Sequence, residues 1–310
     1  MAVIQEAWIG GVSTRRVDDP VQAMGLSGIS KSQVSRLCRE IDERVNAFLE
    51  RPLEGEWPYL WLDATYLKVR DGGRIVSVAA IIAVAVGTDG RREIVGLSIG
   101  PSEAETFWST FLKSLVRRGL KGVKLVISDA HEGLKHAIGK VLGATWQRCR
   151  VHWMRCALAR VPKGQQTMVA AALRQAFLQA DHDTAQQTWR QVSPTSSGRV
   201  GRSSPRSWTT ASMTCWPSWP SPCSTAPSCT PRTRSSGWTR RSSGAPTSSG
   251  RELRSQLPDE RSIVRLIGAV LLEQNDEWQL QHRYMQIEGM AELAAPLVDE
   301  PTLLATPKAA

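Results

Sequence analysis

The sequence lacks any apolar run long enough to cross a membrane as a helix, and its start, Met-Ala-Val-Ile-Gln-Glu, lacks the charged-then-apolar order of a signal peptide. No membrane association is expected, and the chain is placed in the cytoplasm. Cysteine is sparse: Cys38, Cys149, Cys156, Cys215, Cys223 and Cys229 follow no regular spacing, so no disulfide framework is expected. The most informative lack is local. Between Asp183 and Glu252 there is no aspartate or glutamate, and from Ser193 to Gly250 the chain is mostly Ser, Pro, Thr, Arg and Trp, with neither helical nor strand periodicity. Such a stretch cannot build a buried core.

That segment also distorts the charge. A net charge of +10 would ordinarily point to nucleic acid, because Lys and Arg displace counterions from phosphates. Seven arginines (Arg199, Arg202, Arg206, Arg232, Arg234, Arg240 and Arg241) lie within residues 193–250, and setting them aside leaves +3 of the +10. A basic disordered linker is the plain reading of residues 193–250, yet linkers seldom carry Trp208, Trp216, Trp219 and Trp238. Ser, Pro, Arg, Thr and Cys are what GC-rich codons yield when read out of frame. One permitted codon set for Thr230 to Arg241, shifted back by one base, encodes an acid-bearing stretch containing Asn-Pro-Leu-Glu-Arg, and the same shift permits amphipathic sequence on either side. Interpretable patterning returns near Leu257. Two compensating frameshifts account for this pattern, and the segment is expected to be disordered.

Elsewhere the patterning is regular. From Ser13 to Leu49 apolar residues recur at helical spacing on either side of Gly25-Leu26-Ser27-Gly28, and Ser30 followed by Gln33 is a capping-box start. The unit reads either as a helix-turn-helix, with Lys31, Ser32, Gln33, Ser35 and Arg36 facing a DNA major groove, or as a plain helical hairpin with solvated faces. Strands follow at Tyr59–Leu62, Ile75–Val86 and Arg92–Ile99, then a helix from Glu103 to Val116, a strand at 122–127 and a helix from Glu132 to Val141. The order βββαβα is that of an RNase H-like α/β core. Helices are expected from Trp146 to Val192, and a long amphipathic helix from Ile263 to about Met285. The expected organisation is a DNA-binding region at 1–52, a first part of the core at 53–144, a helical insertion at 145–192, the out-of-frame segment at 193–250 and a helical region closing the core at 251–310.

Two carboxylates stand where chemistry would need them. Asp63 is read as ending the first strand in Leu60-Trp61-Leu62-Asp63, and Asp129 as ending the fourth in Val126-Ile127-Ser128-Asp129. A lone Asp after a strand is commonly a turn residue or a helix cap. Two of them on the first and fourth strands of this topology favour metal binding, because two-metal phosphoryl transfer gathers carboxylates at the ends of adjacent strands. Cys149 and His152, even with Cys156, fall short of a closed tetrahedral zinc site, so packing or substrate positioning is preferred for them.

The strings WLDATYLKVR, ISDAHEGLK, RCRVHWMR and SIVRLIGAVLLEQNDEWQLQHRYM resemble the corresponding blocks of mutator-type transposases of bacterial insertion sequences. The resemblance implies Asp63 and Asp129 as the first two members of an Asp-Asp-Glu triad that holds two Mg²⁺, and Cys149 and His152 as the Cys-x-x-His signature. It implies DNA partners, namely terminal inverted repeats and target DNA, and a homo-oligomer when active. The triad's glutamate belongs to an Asn-Pro-x-Glu-Arg block that survives here only in the shifted frame, where its codon overlaps Ser236; a serine cannot replace a charged metal ligand. This copy is therefore expected to be inactive, and the alternative reading is a catalytically dead, sequence-specific DNA-binding remnant. Relatives of this kind usually have more sequence ahead of the helix-turn-helix, so part of the DNA-end recognition is expected to be missing.

Overall fold

The apolar run Ala79 to Val86 is the spine of the fold, since every one of its residues is buried and a strand covered on both faces has no polar side. The structure is a computed structural model that describes residues 31–71, 74–159, 161–179, 184–185, 187–188 and 260–285. Its helices are α1 (Lys31–Glu50), α2 (Glu105–Arg117), α3 (Glu132–Val141), α4 (Arg150–Leu158), α5 (Gln166–Phe177) and α6 (Glu260–Leu280). Its strands are β1 (Tyr59–Asp71), β2 (Arg74–Val86), β3 (Arg92–Gly100), β4 (Leu125–Ser128) and β5 (Thr145–Arg148), in the sheet order β3-β2-β1-β4-β5.

β1 and β2 pair antiparallel along their whole length, from Tyr59 opposite Val86 to Asp71 opposite Arg74, and β2 pairs antiparallel with β3. β1 runs parallel to β4, and β4 parallel to β5. Alternate side chains sort the sheet into two covered faces. Leu60, Leu62, Ile81, Ala83 and Ala85 pack under Trp108, Phe111, Leu112 and Leu115 of α2 and Leu134 and Ile138 of α3. On the opposite face Tyr59, Trp61, Ile82, Val84 and Val86 meet Phe48 of α1 and Leu271 and Trp278 of α6. Beyond β5, α4 and α5 form a small pair around Trp153, Val169 and Leu173, with Trp153 edge-on to Phe177 at 5.9 Å.

The structure departs from the sequence reading in three places. Asp63 does not end β1; the strand continues to Asp71, with Asp63 still paired opposite Ile82. Thr145–Arg148, expected to belong to a helical insertion, is instead a fifth strand hydrogen-bonded to β4. The C-terminal helix stops at Leu280, and the chain turns so that the N–H groups of Tyr284 and Met285 donate to the Gly90 carbonyl at 2.9 and 3.1 Å. Gly90 has φ +77, and a Cβ there would collide with the Met285 carbonyl, so only glycine suits this turn. The first helix of the expected helix-turn-helix, the segment 193–250 and Ser236 all lie outside the described residues.

α6 is fastened to the rest by three different means. The Arg265 guanidinium forks onto both carboxylate oxygens of Asp42 on α1. Where β2 and β3 slip register, with Ala83 opposite Gly96 but Val84 opposite Ile94, the Ile94 N–H donates to Asn275 Oδ1 at 2.9 Å, and Asn275 is buried. At the crossing of α6 over α1, a Cβ on Gly268 would overlap Val45 Cγ1. Val45 is fully buried and β-branched, so it has little room to turn away.

Gly268→Ala should therefore lower the melting temperature, an overpacking cost of about 1–3 kcal/mol outweighing a helix-propensity gain of about 1 kcal/mol. Adding Val45→Ala should recover part of the loss; a higher melting temperature for Gly268→Ala alone would mean the helices do not approach so closely. Asn275→Leu should cost about 1–3 kcal/mol in urea unfolding by leaving the Ile94 N–H buried without an acceptor, and an unchanged stability would show that this N–H finds another partner.

Candidate active site

The parallel ladder between β1 and β4 has three pairs, Tyr59 with Leu125, Leu60 with Val126 and Trp61 with Ile127. Beyond Trp61 the two strands separate, because β4 ends at Ser128 while β1 continues along β2. Asp63 lies just past the last β1–β4 pair, and Asp129 follows the last residue of β4. As β1 and β4 run the same way, both carboxylates lie where the parallel β1–β4 ladder ends, Asp63 within the longer β1 and Asp129 past the carboxyl end of β4.

β5 delivers the next two residues. It ends at Arg148, the Cys149 N–H donates to the Ser128 carbonyl at 2.6 Å, and α4 begins at Arg150. Cys149 is buried in the apolar cluster with Trp61, Ile127 and Leu271. One helical turn on, His152 Nε2 stands 3.7 Å from Asp63 Oδ1. The structure thus brings Asp63, Asp129, Cys149 and His152 together from β1, the end of β4 and the start of α4. Ser32, Gln33, Ser35 and Arg36 are exposed on the first turns of α1, a separate element whose other face buries Leu37, Ile41, Val45 and Phe48. Lys31 begins that helix. Arg36 and Glu40 form an exposed pair at 3.9 Å, which contributes little to stability.

The electrostatics of the cluster follow from its crowding. About half of the Asp63 side chain is open to solvent (51%), yet its pKa is raised, first by desolvation against the protein wall and then by the charge of Asp129. His152, the Ala64 N–H and Arg155 act in the opposite direction. His152 has a raised pKa because of the adjacent Cys149 and then of Asp63 and Asp129, with desolvation opposing. Its Nδ1 is buried and makes no well-formed hydrogen bond, so the Cys149 contribution reflects proximity more than a directed bond. Asp129 Oδ1 accepts from the Ala130 N–H at 2.7 Å, which fixes one carboxylate oxygen and leaves the other for a ligand.

Several residues of this cluster were missed by sequence reasoning. Arg155 adds positive charge near Asp63. Trp146 donates through Nε1 to the buried Ser128 hydroxyl at 2.8 Å. The signal available for Trp146 was a lone aromatic in a short stretch before Cys149, too brief to show alternation.

Because the folded-state pKa of His152 is raised, the stability that its imidazolium contributes is present below the ordinary histidine value and is lost as pH rises through the raised one. In the metal-free protein, Asp63→Asn should lower the His152 pKa in an NMR titration of the imidazole. A value that does not move would mean the 3.7 Å pair carries no charge interaction.

Comparison with known proteins bears on what this cluster belongs to. A profile described as "Transposase, Mutator family" matches residues 1–214. The chain is 36% identical over 308 residues to the transposase for insertion sequence element IS1081 of Mycobacterium tuberculosis, covering 96% of this chain and 70% of that protein. It is 45% identical over 187 residues to the transposase for insertion sequence element IS406 of Burkholderia multivorans, covering 59% of this chain and 48% of that protein. The transposase for insertion sequence element IS256 in transposon Tn4001 of Staphylococcus aureus is 40% identical over 189 residues, or 60% of this chain and 48% of that protein. With the family profile spanning more than half of the sequence and a relative aligned along nearly all of it, the chain belongs to the mutator family of transposases.

Proposed function

We propose that this chain is built as a DNA transposase of RNase H-like type, which cuts at the terminal inverted repeats of its element and joins the freed 3′-hydroxyls to target DNA. The observation that carries the reading is the pair of carboxylates, Asp63 and Asp129, just past the point where the parallel ladder of the adjacent strands β1 and β4 ends. The strand order β3-β2-β1-β4-β5, with β1 antiparallel to β2 and parallel to β4, supports the fold assignment. Family membership supports DNA as the substrate.

The donor set suits Mg²⁺, which prefers hard carboxylate oxygens and keeps water and phosphate oxygens in its shell. Asp63 is half exposed, its pKa is raised by desolvation first and then by the charge of Asp129, and a divalent cation would relieve that repulsion. Among the described residues no group of three or more His, Cys, Asp or Glu is placed to hold a metal ion by itself. Further positions would fall to water, to the substrate phosphate and to the third carboxylate of the family pattern. Two bound Mg²⁺ would supply activation of the attacking oxygen and stabilisation of the leaving one. Asp63 and Asp129 would hold the ions, Asp129 with one oxygen already fixed by the Ala130 N–H. When protonated, His152 would add a positive charge beside the carboxylates that a phosphodiester would approach, and Arg155 adds another. Lys31, Ser32, Gln33, Ser35 and Arg36 would face DNA from α1, and pairing two element ends calls for more than one copy of the chain.

The third carboxylate decides the state of this copy. Its codon in the shifted frame overlaps Ser236, and a hydroxyl does not supply the charge of a glutamate. The chain as it stands is therefore read as a transposase that binds DNA without cutting it, which makes the catalytically dead remnant the second reading.

Resequencing codons 185–260 should show whether the shift is real. On inverted-repeat DNA with Mg²⁺, the chain as written should retard the DNA without nicking it, and a frame-restored version should nick it. Asp63→Asn or Asp129→Asn in the restored protein should reduce nicking at least about a hundredfold. Nicking by the chain as written would sink the inactive reading, and a restored chain that binds but never cuts would count against the enzyme.

A further inference from the structure

Ser128 closes β4 with 1% of its surface exposed, and its polar groups face three ways. Its carbonyl accepts the Cys149 N–H at 2.6 Å. Its hydroxyl accepts from Trp146 Nε1 at 2.8 Å and donates to the backbone carbonyl of Asp129 at 3.0 Å. A hydroxyl has a single proton to donate, so the Trp146 N–H, by occupying an acceptor position, directs that proton onto Asp129. The same Asp129 carbonyl takes the His131 N–H at 2.9 Å, which closes the short loop between β4 and α3.

Trp146 is itself held in place. It sits on β5 opposite Val126, and its ring lies 4.4 Å beneath Lys135 Nζ. Lys135 is bonded in turn to Glu132 Oε1 at 2.7 Å. An indole on β5 therefore reaches the last residue of the neighbouring β4 and, through one hydroxyl, sets the backbone of the residue that carries the second carboxylate.

We propose that Trp146, acting through Ser128, is a positioning residue for Asp129. Its N–H orients the Ser128 hydroxyl, and that hydroxyl fixes the turn from which the Asp129 carboxylate projects towards Asp63. The inference rests on the reading of Asp63 and Asp129 as a metal-holding pair. Its physical ground is that hydrogen-bonded partners behind a ligand set its orientation, and losing one commonly weakens metal binding without touching the ligand.

The test uses the full chain and Mn²⁺ alone, with free ion followed by electron paramagnetic resonance, so no DNA cleavage is required. Trp146→Phe keeps an aromatic ring beneath Lys135 and removes only the N–H; Ser128→Ala removes the relay. Each should weaken Mn²⁺ binding about tenfold, and the double variant should be no weaker than the weaker single, because both changes break one chain of bonds. A purely structural contribution of the indole would instead shift the melting temperature and leave Mn²⁺ affinity alone, and that result overturns the proposal, as do losses that add. Asp63→Asn and Asp129→Asn separate the two levels of the argument. If both leave Mn²⁺ binding intact, the metal reading falls and the proposal with it. If they abolish binding while Trp146→Phe and Ser128→Ala bind like the unaltered chain, the positioning role alone is wrong.

Discussion

The separation of β1 from β4 is the constraint on which the rest depends. β1 is committed to two partners of unequal reach, an antiparallel ladder with β2 from Tyr59 to Asp71 and a parallel one with β4 from Tyr59 to Trp61. The long ladder fixes the direction of β1 well past the point where β4 stops. A split of this kind inside a sheet leaves strand-end groups unpaired and open to solvent, a cost unless they serve something. Here the groups at the split are carboxylates, and the first turn of α4 brings an imidazole to one of them.

That split is tolerable because the two faces around it are strongly held. The β1–β2 ladder is apolar on both sides over residues 79–86, with α2 and α3 below and α1 and α6 above. α6 comes from beyond residue 259, yet it supplies the Asn275 side chain that completes the slipped register at Ile94 and the Arg265 fork onto Asp42. Leu271 and Trp278 lie in the same cluster as Tyr59 and Trp61. Contacts this specific between distant parts of the chain need both parts to be read in their proper frame. They agree with the return of regular patterning near Leu257, whatever is true of the acid-free stretch before it.

How much was legible follows from what each element shows locally. β2 and β3 were plain from their Val, Ile and Ala content, and α3 from its helical spacing, since burial on a sheet dictates composition residue by residue. β1 was cut short because Asp63 is a poor strand former and looks like a stop, although Leu67 and Val69 alternate with Tyr66 and Lys68 beyond it. β5 was invisible because Thr145–Arg148 is short, only partly buried and held by pairing with β4, information that no local window contains. For the site, Asp63, Asp129, Cys149 and His152 could be picked out from their motifs. Their proximity depends on the parallel β1–β4–β5 order, and the roles of Ser128, Trp146 and Arg155 depend on side-chain directions fixed only by folding.

The cluster also shows how a short strand can carry a charged residue at its end. Desolvation of Asp63 raises its proton affinity, and the charge of Asp129 beside it adds to that, so holding this carboxylate here works against the compact state. β4 is four residues long, too brief for its ladders alone to set the direction of the chain that leaves it. What replaces the missing ladder is a set of single bonds converging on Ser128 and Asp129. The Cys149 N–H, just past β5, anchors the Ser128 carbonyl, the Ser128 hydroxyl and His131 N–H share the Asp129 carbonyl, and the Ala130 N–H holds Asp129 Oδ1. Each of these is a modest contribution taken singly, about 1 kcal/mol. Together they exchange the regular order of a strand for a turn of one conformation, which is the condition for a carboxylate to be placed rather than merely present.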